Sequence, residues 1–90
     1  MEPSPLTLTL GLAAAALTSL SYLPQAKKAL PKGATADLSV RTLTALFIGL
    51  SLWVIYGILR SDLVIIIANT VGAALVGFVL VCKLRDLRLT

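Results

Sequence analysis

Asn69 is the one strongly polar side chain set deep in the last long apolar run of this chain, which extends from about Leu63 to Cys82. Its amide offers a carbonyl acceptor and two N–H donors, the equipment needed to hold the hydroxyl groups of a sugar-like ligand. The same amide equally suits a plainer part, stapling two membrane helices together. Trp53 poses a similar choice. Near the end of an apolar run an indole commonly belongs to the interfacial aromatic belt. Yet Gly49, Trp53, Tyr56, Gly57 and Arg60 fall at i, i+4, i+7, i+8 and i+11, a single helical stripe. A stripe that mixes glycine, aromatics and a cation is out of place against lipid, so a belt position and a bundle-facing position both stand. A bundle-facing indole would offer a flat surface for a sugar ring. Tyr56, Arg60 and Asp62 gather at the turn that follows. Their charges are either a solvated pair of little weight or, facing a pore mouth, a polar latch that can break.

The missing groups narrow the chemistry further. Histidine is absent, Cys82 is the single cysteine, and the acidic residues are Glu2, Asp37, Asp62 and Asp86. That excludes a disulfide framework within the chain and a cysteine-rich metal site. None of the acids falls at mid-membrane depth, where proton-driven carriers keep an ionisable group, so proton coupling is not expected. No run supplies paired carboxylates, a Ser/His or Ser/Lys pair, or a phosphate loop. We therefore expect no enzyme, no cofactor and no metal. Thr18, Ser19 and Ser21 read as helix-packing hydroxyls. The net charge of +4 does not point to nucleic acid, because the basic residues sit at the ends of apolar runs and form no stripe interleaved with aromatics.

These residues need elements to carry them, and the composition dictates which. A hydrophobic fraction of 58%, a charged fraction of 13% and a mean hydropathy of +0.96 describe a chain whose solvent is a bilayer. Each crossing takes roughly 20 apolar residues, so one all-α domain, residues 1–90, with three transmembrane helices is predicted. The spans fall at about 6–29, 40–59 and 63–82, followed by a short basic tail, 83–90. The first run continues past Pro24 to about Ala29, since neighbouring helices can satisfy the freed backbone groups. Pro31 to Asp37 has the composition of a loop. The turn Arg60-Ser61-Asp62 is short enough to force the third span back antiparallel beside or near the second. Small residues that let backbones approach mark the expected packing positions: Gly49 and Gly57, then Gly72, Ala73 and Gly77.

Lys27, Lys28, Lys32, Arg41, Lys83, Arg85 and Arg88 share one side of this topology and only Arg60 lies on the other. The positive-inside rule then predicts the N-terminus outside and the C-terminus in the cytoplasm. Met1 to Pro5 carries no basic residue, so the first span is expected to be a retained helix and not a cleaved signal.

Two local patterns carry a resemblance. Ser21-Tyr22-Leu23-Pro24-Gln25, followed by a lysine-bearing loop, resembles the proline-glutamine signature of the PQ-loop and MtN3 proteins. Leu52-Trp53-Val54-Ile55-Tyr56-Gly57 and then Ile67-Ala68-Asn69 resemble the bacterial SemiSWEET sugar transporters, and the likeness extends from about Gly11 to Lys83. A proline-glutamine pair alone is weak; its order with the Trp-x-x-Tyr-Gly element, the charged turn and the intramembrane Asn is specific. The resemblance implies a multi-pass protein of the bacterial plasma membrane, with the third helix packed between the first and second. It implies a parallel homodimer forming one path, and facilitative transport of a mono- or disaccharide of the glucose or sucrose class by alternating access. Trp53 and Asn69 look like the sugar-binding pair, and Tyr56, Arg60 and Asp62 match an outer gate. Leu46 is the candidate inner gate, and Pro24 with Gln25 the hinge of the first helix.

Two other readings keep their place. PQ-loop relatives also move amino acids, although those resembling lysosomal exporters often carry an intramembrane acid that this sequence lacks. Alternatively the chain is an accessory or structural membrane subunit, with Asn69 and the glycines serving only to pack helices.

Overall fold

The computed structural model describes residues 4–89, which form helices α1 (Pro5–Ala29), α2 (Val40–Leu59) and α3 (Leu63–Arg88). Each start has a local cause. Ser4 and Ser39 cap α1 and α2 by accepting the N–H of Thr7 and Thr42, and Asp62 caps α3 by accepting the N–H of Ile65. Pro5 stands in the first turn of α1, where its missing donor costs nothing. All three helices are long and apolar enough to cross a membrane.

α3 lies in the middle. It packs against both α1 and α2, while no Cα of α1 comes within 8 Å of one in α2. The Cα trace accordingly measures 51 × 23 × 13 Å, a slab one helix thick. The central position shows in the burial pattern, because Gly72, Val76, Val79, Lys83 and Asp86 are buried at alternating spacings of four and three, the stripe of a helix flanked by neighbours. Ala26 and Ala29 of α1 and Leu43 of α2 close the core on either side.

Two points differ from the sequence reading. The predicted tail is helical, since α3 runs on through 83–88. The reason is that those residues are tied down. Asp86 accepts the backbone N–H of Gly33 at 3.0 Å, the N–H of Thr35 at 3.2 Å and the Thr35 hydroxyl. Lys83 Nζ donates to the Thr35 carbonyl at 2.9 Å. Arg85 donates to the carbonyls of Ala29, the last residue of α1, and of Leu30 and Pro31 just beyond it, and pairs with Asp86 at 2.8 Å. Gly33 takes φ of +83°, which presents its N–H to the carboxylate. The second difference concerns Gly49. A Cβ built there meets nothing within 4 Å, so it packs no helix within the protomer. Its side of α2 faces away from α3, whereas Gly57, eight residues on, is buried against Ile65 and Ile66.

Candidate functional site

Trp53 precedes Arg60 by seven residues and Asn69 follows Asp62 by seven, so the α2–α3 hairpin brings both to one level, about 10 Å from the turn at 1.5 Å per residue. The two do not share a cavity in the protomer. Trp53, with Gly49, Leu52 and Tyr56, lines a shallow depression of about 420 Å³ on the open face of α2. Its indole is 53% exposed and meets the Tyr56 ring edge-on, with centroids 5.3 Å apart and planes at 84°. A T-shaped contact fixes the indole and the phenol relative to each other, and the exposure of Trp53 leaves indole surface for another partner. The stripe of the sequence reading thus divides, with Trp53 and Tyr56 on the open face and Gly57 against α3.

Asn69 lines a second cavity, of about 300 Å³, whose walls include Thr18 and Tyr22 of α1, Leu50 of α2 and Ala68 of α3. One amide hydrogen is spent on its own helix, Nδ2 donating to the Ile65 carbonyl at 2.9 Å. The carbonyl oxygen accepts no hydrogen bond among the described residues, so Asn69 does not staple α3 to either neighbour in the protomer. Gly72, one turn further on, is where the Tyr22 ring and Leu50 press in: a Cβ there would stand 3.3 Å from Tyr22 Cε2 and 3.4 Å from Leu50 Cδ2. Gly77 lies under Phe47. Ala73 is half-buried.

At the 60–62 turn, Asp62 Oδ1 is held at 3.1 Å by the N–H of Ile65 as the cap of α3. Arg60 is exposed and forms no ion pair among the described residues. Within a protomer, then, Tyr56, Arg60 and Asp62 do not close a latch. Leu46, seven residues before Trp53, is 39% exposed. Pro24 sits inside α1 and deprives the Leu20 carbonyl of its helical donor, and Gln25 beside it is exposed. Among the described residues no His/Cys/Asp/Glu cluster could hold a metal ion.

The sequence that builds this slab of three spans finds its counterpart among known proteins. The MtN3 family, described as a sugar efflux transporter for intercellular exchange, matches residues 7–82. The chain is a member of the MtN3, or SemiSWEET, family. The sugar transporter SemiSWEET of Leptospira biflexa is 43% identical over 77 residues, which covers 86% of this chain and 91% of that protein. That of Bradyrhizobium diazoefficiens is 41% identical over 76 residues, 84% of this chain and 88% of the relative. The Escherichia coli SemiSWEET is 37% identical, with 87% and 88% covered. No solved structure matches this chain significantly. Membership agrees with the three-span architecture.

The sequence reading missed the group at the other end of the slab, Thr35, Lys83, Arg85 and Asp86. The available signal was an acid, Asp86, placed between arginines in an otherwise basic stretch. It also set Thr18 aside as a packing hydroxyl, whereas Thr18 lines the Asn69 cavity.

Proposed function

We propose that two parallel copies of this SemiSWEET chain form one path for a mono- or disaccharide of the glucose or sucrose class, moved by alternating access as a uniporter. The observation that carries this reading is the slab itself. A layer of helices 13 Å thick encloses no route, yet Trp53 and Asn69 stand at one depth on it with an indole face and an amide carbonyl uncommitted. A second copy would enclose them. Indole stacking and amide hydrogen bonds suit a sugar and bind it weakly, and a facilitator needs weak binding so that cargo leaves as readily as it enters.

The gates follow from the same arrangement. Asp62 Oδ1 is taken by the α3 cap, which leaves Oδ2 for a cation, and Arg60 pairs with no acid among the described residues of its own protomer. A latch of Tyr56, Arg60 and Asp62 between the two copies would use both groups. Leu46, on the open face further from the turn, serves as the inner gate, and Pro24 with Gln25 as the hinge of α1. The membrane is the bacterial plasma membrane, with the N-terminus outside and the basic end of the slab in the cytoplasm, as the distribution of lysine and arginine favours.

Uptake of labelled glucose and sucrose into proteoliposomes tests this reading, with Trp53→Ala and Asn69→Ala reconstituted in parallel and the dimer verified for each. Saturable uptake that both substitutions abolish, unchanged when a proton gradient is imposed or collapsed, is the expected result. Absence of uptake from an intact dimer would refute it in favour of the amino-acid carrier or the accessory subunit.

A further inference from the structure

The polar groups that face the membrane interior of this protomer differ in how they are satisfied. Ser21 donates to the Thr18 carbonyl at 2.6 Å, and Ser51 to the Phe47 carbonyl at 2.8 Å, so both hydroxyls are folded back onto their own helices. This is the usual disposal of a hydroxyl in an apolar medium, where an unpartnered one is costly. Thr18 Oγ1 and Tyr22 Oη have no hydrogen-bond partner among the described residues, neither oxygen is a buried unpartnered atom, and both residues line the Asn69 cavity. Asn69, whose side-chain carbonyl accepts no hydrogen bond among the described residues, lines the same cavity.

The helix contacts fix their levels. A Cβ at Gly11 would meet Val64 at 3.1 Å, and one at Gly72 would meet Tyr22 at 3.3 Å, so α1 and α3 run parallel. Thr18 falls between Gly11 and Tyr22 as Asn69 falls between Val64 and Gly72. Three residues with uncommitted polar groups therefore line one cavity of about 300 Å³, two from α1 and one from α3. The missing Cβ of Gly72 lets the Tyr22 ring seat itself there and fixes one wall.

We infer that Thr18 and Tyr22 are further sugar contacts, with their hydroxyls hydrogen-bonding the hydroxyl groups of the sugar from the side opposite Asn69. This rests on the reading of Asn69 as a sugar ligand. A hydroxyl both donates and accepts, so two of them tolerate either orientation of a sugar hydroxyl, whereas the remaining amide groups of Asn69 are fixed by its bond to Ile65. The contact would also bring α1, the helix that carries Pro24, into direct touch with the cargo.

Trp53 is the only tryptophan of the chain, so its fluorescence gives an equilibrium titration with glucose or sucrose that is independent of transport. Thr18→Val and Tyr22→Phe remove the hydroxyls and keep the volumes. Each should raise the sugar Kd, and the KM for uptake, about fivefold, the scale of one neutral hydrogen bond, with Vmax and thermal unfolding midpoint close to those of the parent protein. A packing role would instead lower the midpoint or the amount of dimer and leave Kd alone. Asn69→Ala separates the two layers of the argument. If it leaves Kd unchanged, the parent reading falls and takes this one with it. If Asn69→Ala abolishes binding while Thr18→Val and Tyr22→Phe both keep the parent Kd, only the present inference is overturned.

Discussion

Replacing Gly57 by alanine tests the way the hairpin is closed. A Cβ at this position would stand 2.9 Å from Ile65 Cγ2, 3.0 Å from Ile66 Cγ1 and 3.1 Å from the backbone nitrogen of Ile66. The two side-chain atoms belong to isoleucines that can rotate, at the cost of an unfavourable rotamer. The backbone nitrogen cannot yield unless α3 itself moves by a few tenths of an ångström. That movement is opposed by the hydrogen bond from the Asp62 N–H to the Gly57 carbonyl, 2.9 Å long, which pins the turn to the same residue. Overpacking of this kind costs about 1–3 kcal/mol, and alanine returns about 1 kcal/mol through its better helix propensity. Gly49→Ala is the natural reference, because its Cβ meets nothing and only the propensity gain applies. The difference between the two variants isolates the contact, so Gly57→Ala should unfold about 1–3 kcal/mol more easily than Gly49→Ala. Reversible unfolding in detergent, followed by Trp53 fluorescence at a dilution that keeps the protein monomeric, reads this directly. A Gly57→Ala protein as stable as Gly49→Ala would mean that α2 and α3 do not approach as described.

Two further predictions concern the opposite end of the slab. Gly33 has φ of +83° and no crowding, so Gly33→Ala should cost roughly 1–2 kcal/mol purely through backbone strain, visible as a lower unfolding midpoint. Beyond the apolar stretch of α3, Asp86 is held well below the usual carboxylate range, first by the N–H of Gly33 and then by the Thr35 hydroxyl, against some opposition from burial. Because its folded pKa is depressed, the contribution to stability is complete above about pH 4, the ordinary carboxylate value, and drains away as the pH falls below it. Limited proteolysis of the 30–39 segment between pH 6 and pH 3 should show this opening in the parent protein. Asp86→Asn should be cut readily throughout, and an identical acid response in that variant would refute the assignment.

The starts of α2 and α3 were readable because they depend on local chemistry, whereas the end of α3 depends on distant partners. Ser39 and Asp62 are strong N-caps, and the Arg60-Ser61-Asp62 turn leaves no slack between two apolar runs. The shared depth of Trp53 and Asn69 was implicit in that turn as well. What one-dimensional periodicity could not say was which face of α2 meets α3. Gly49 and Gly57 lie on one stripe, yet only Gly57 meets α3, because farther along α2 the contacts with α3 pass to Leu50 and Phe47, which pack against Gly72 and Gly77. The bonds of Asp86 were invisible for another reason. They join residues 51 to 53 positions apart, and nothing in the composition of either segment names the other.

That long separation has a consequence for how the protein is made. The ribosome delivers Gly33 and Thr35 about fifty residues before Asp86. The α2–α3 hairpin needs only its own short turn and can form as soon as both helices are in the bilayer. α1, by contrast, packs on α3 alone, and the bonds that tie the segment behind it to Lys83 and Asp86 wait until the last turns of α3 have been synthesised. The first helix to be made is thus the last to be secured. Throughout insertion, the polar groups of 33 and 35 must remain at the water-facing surface, which keeps the lysine-bearing loop on the side where the nascent chain first placed it.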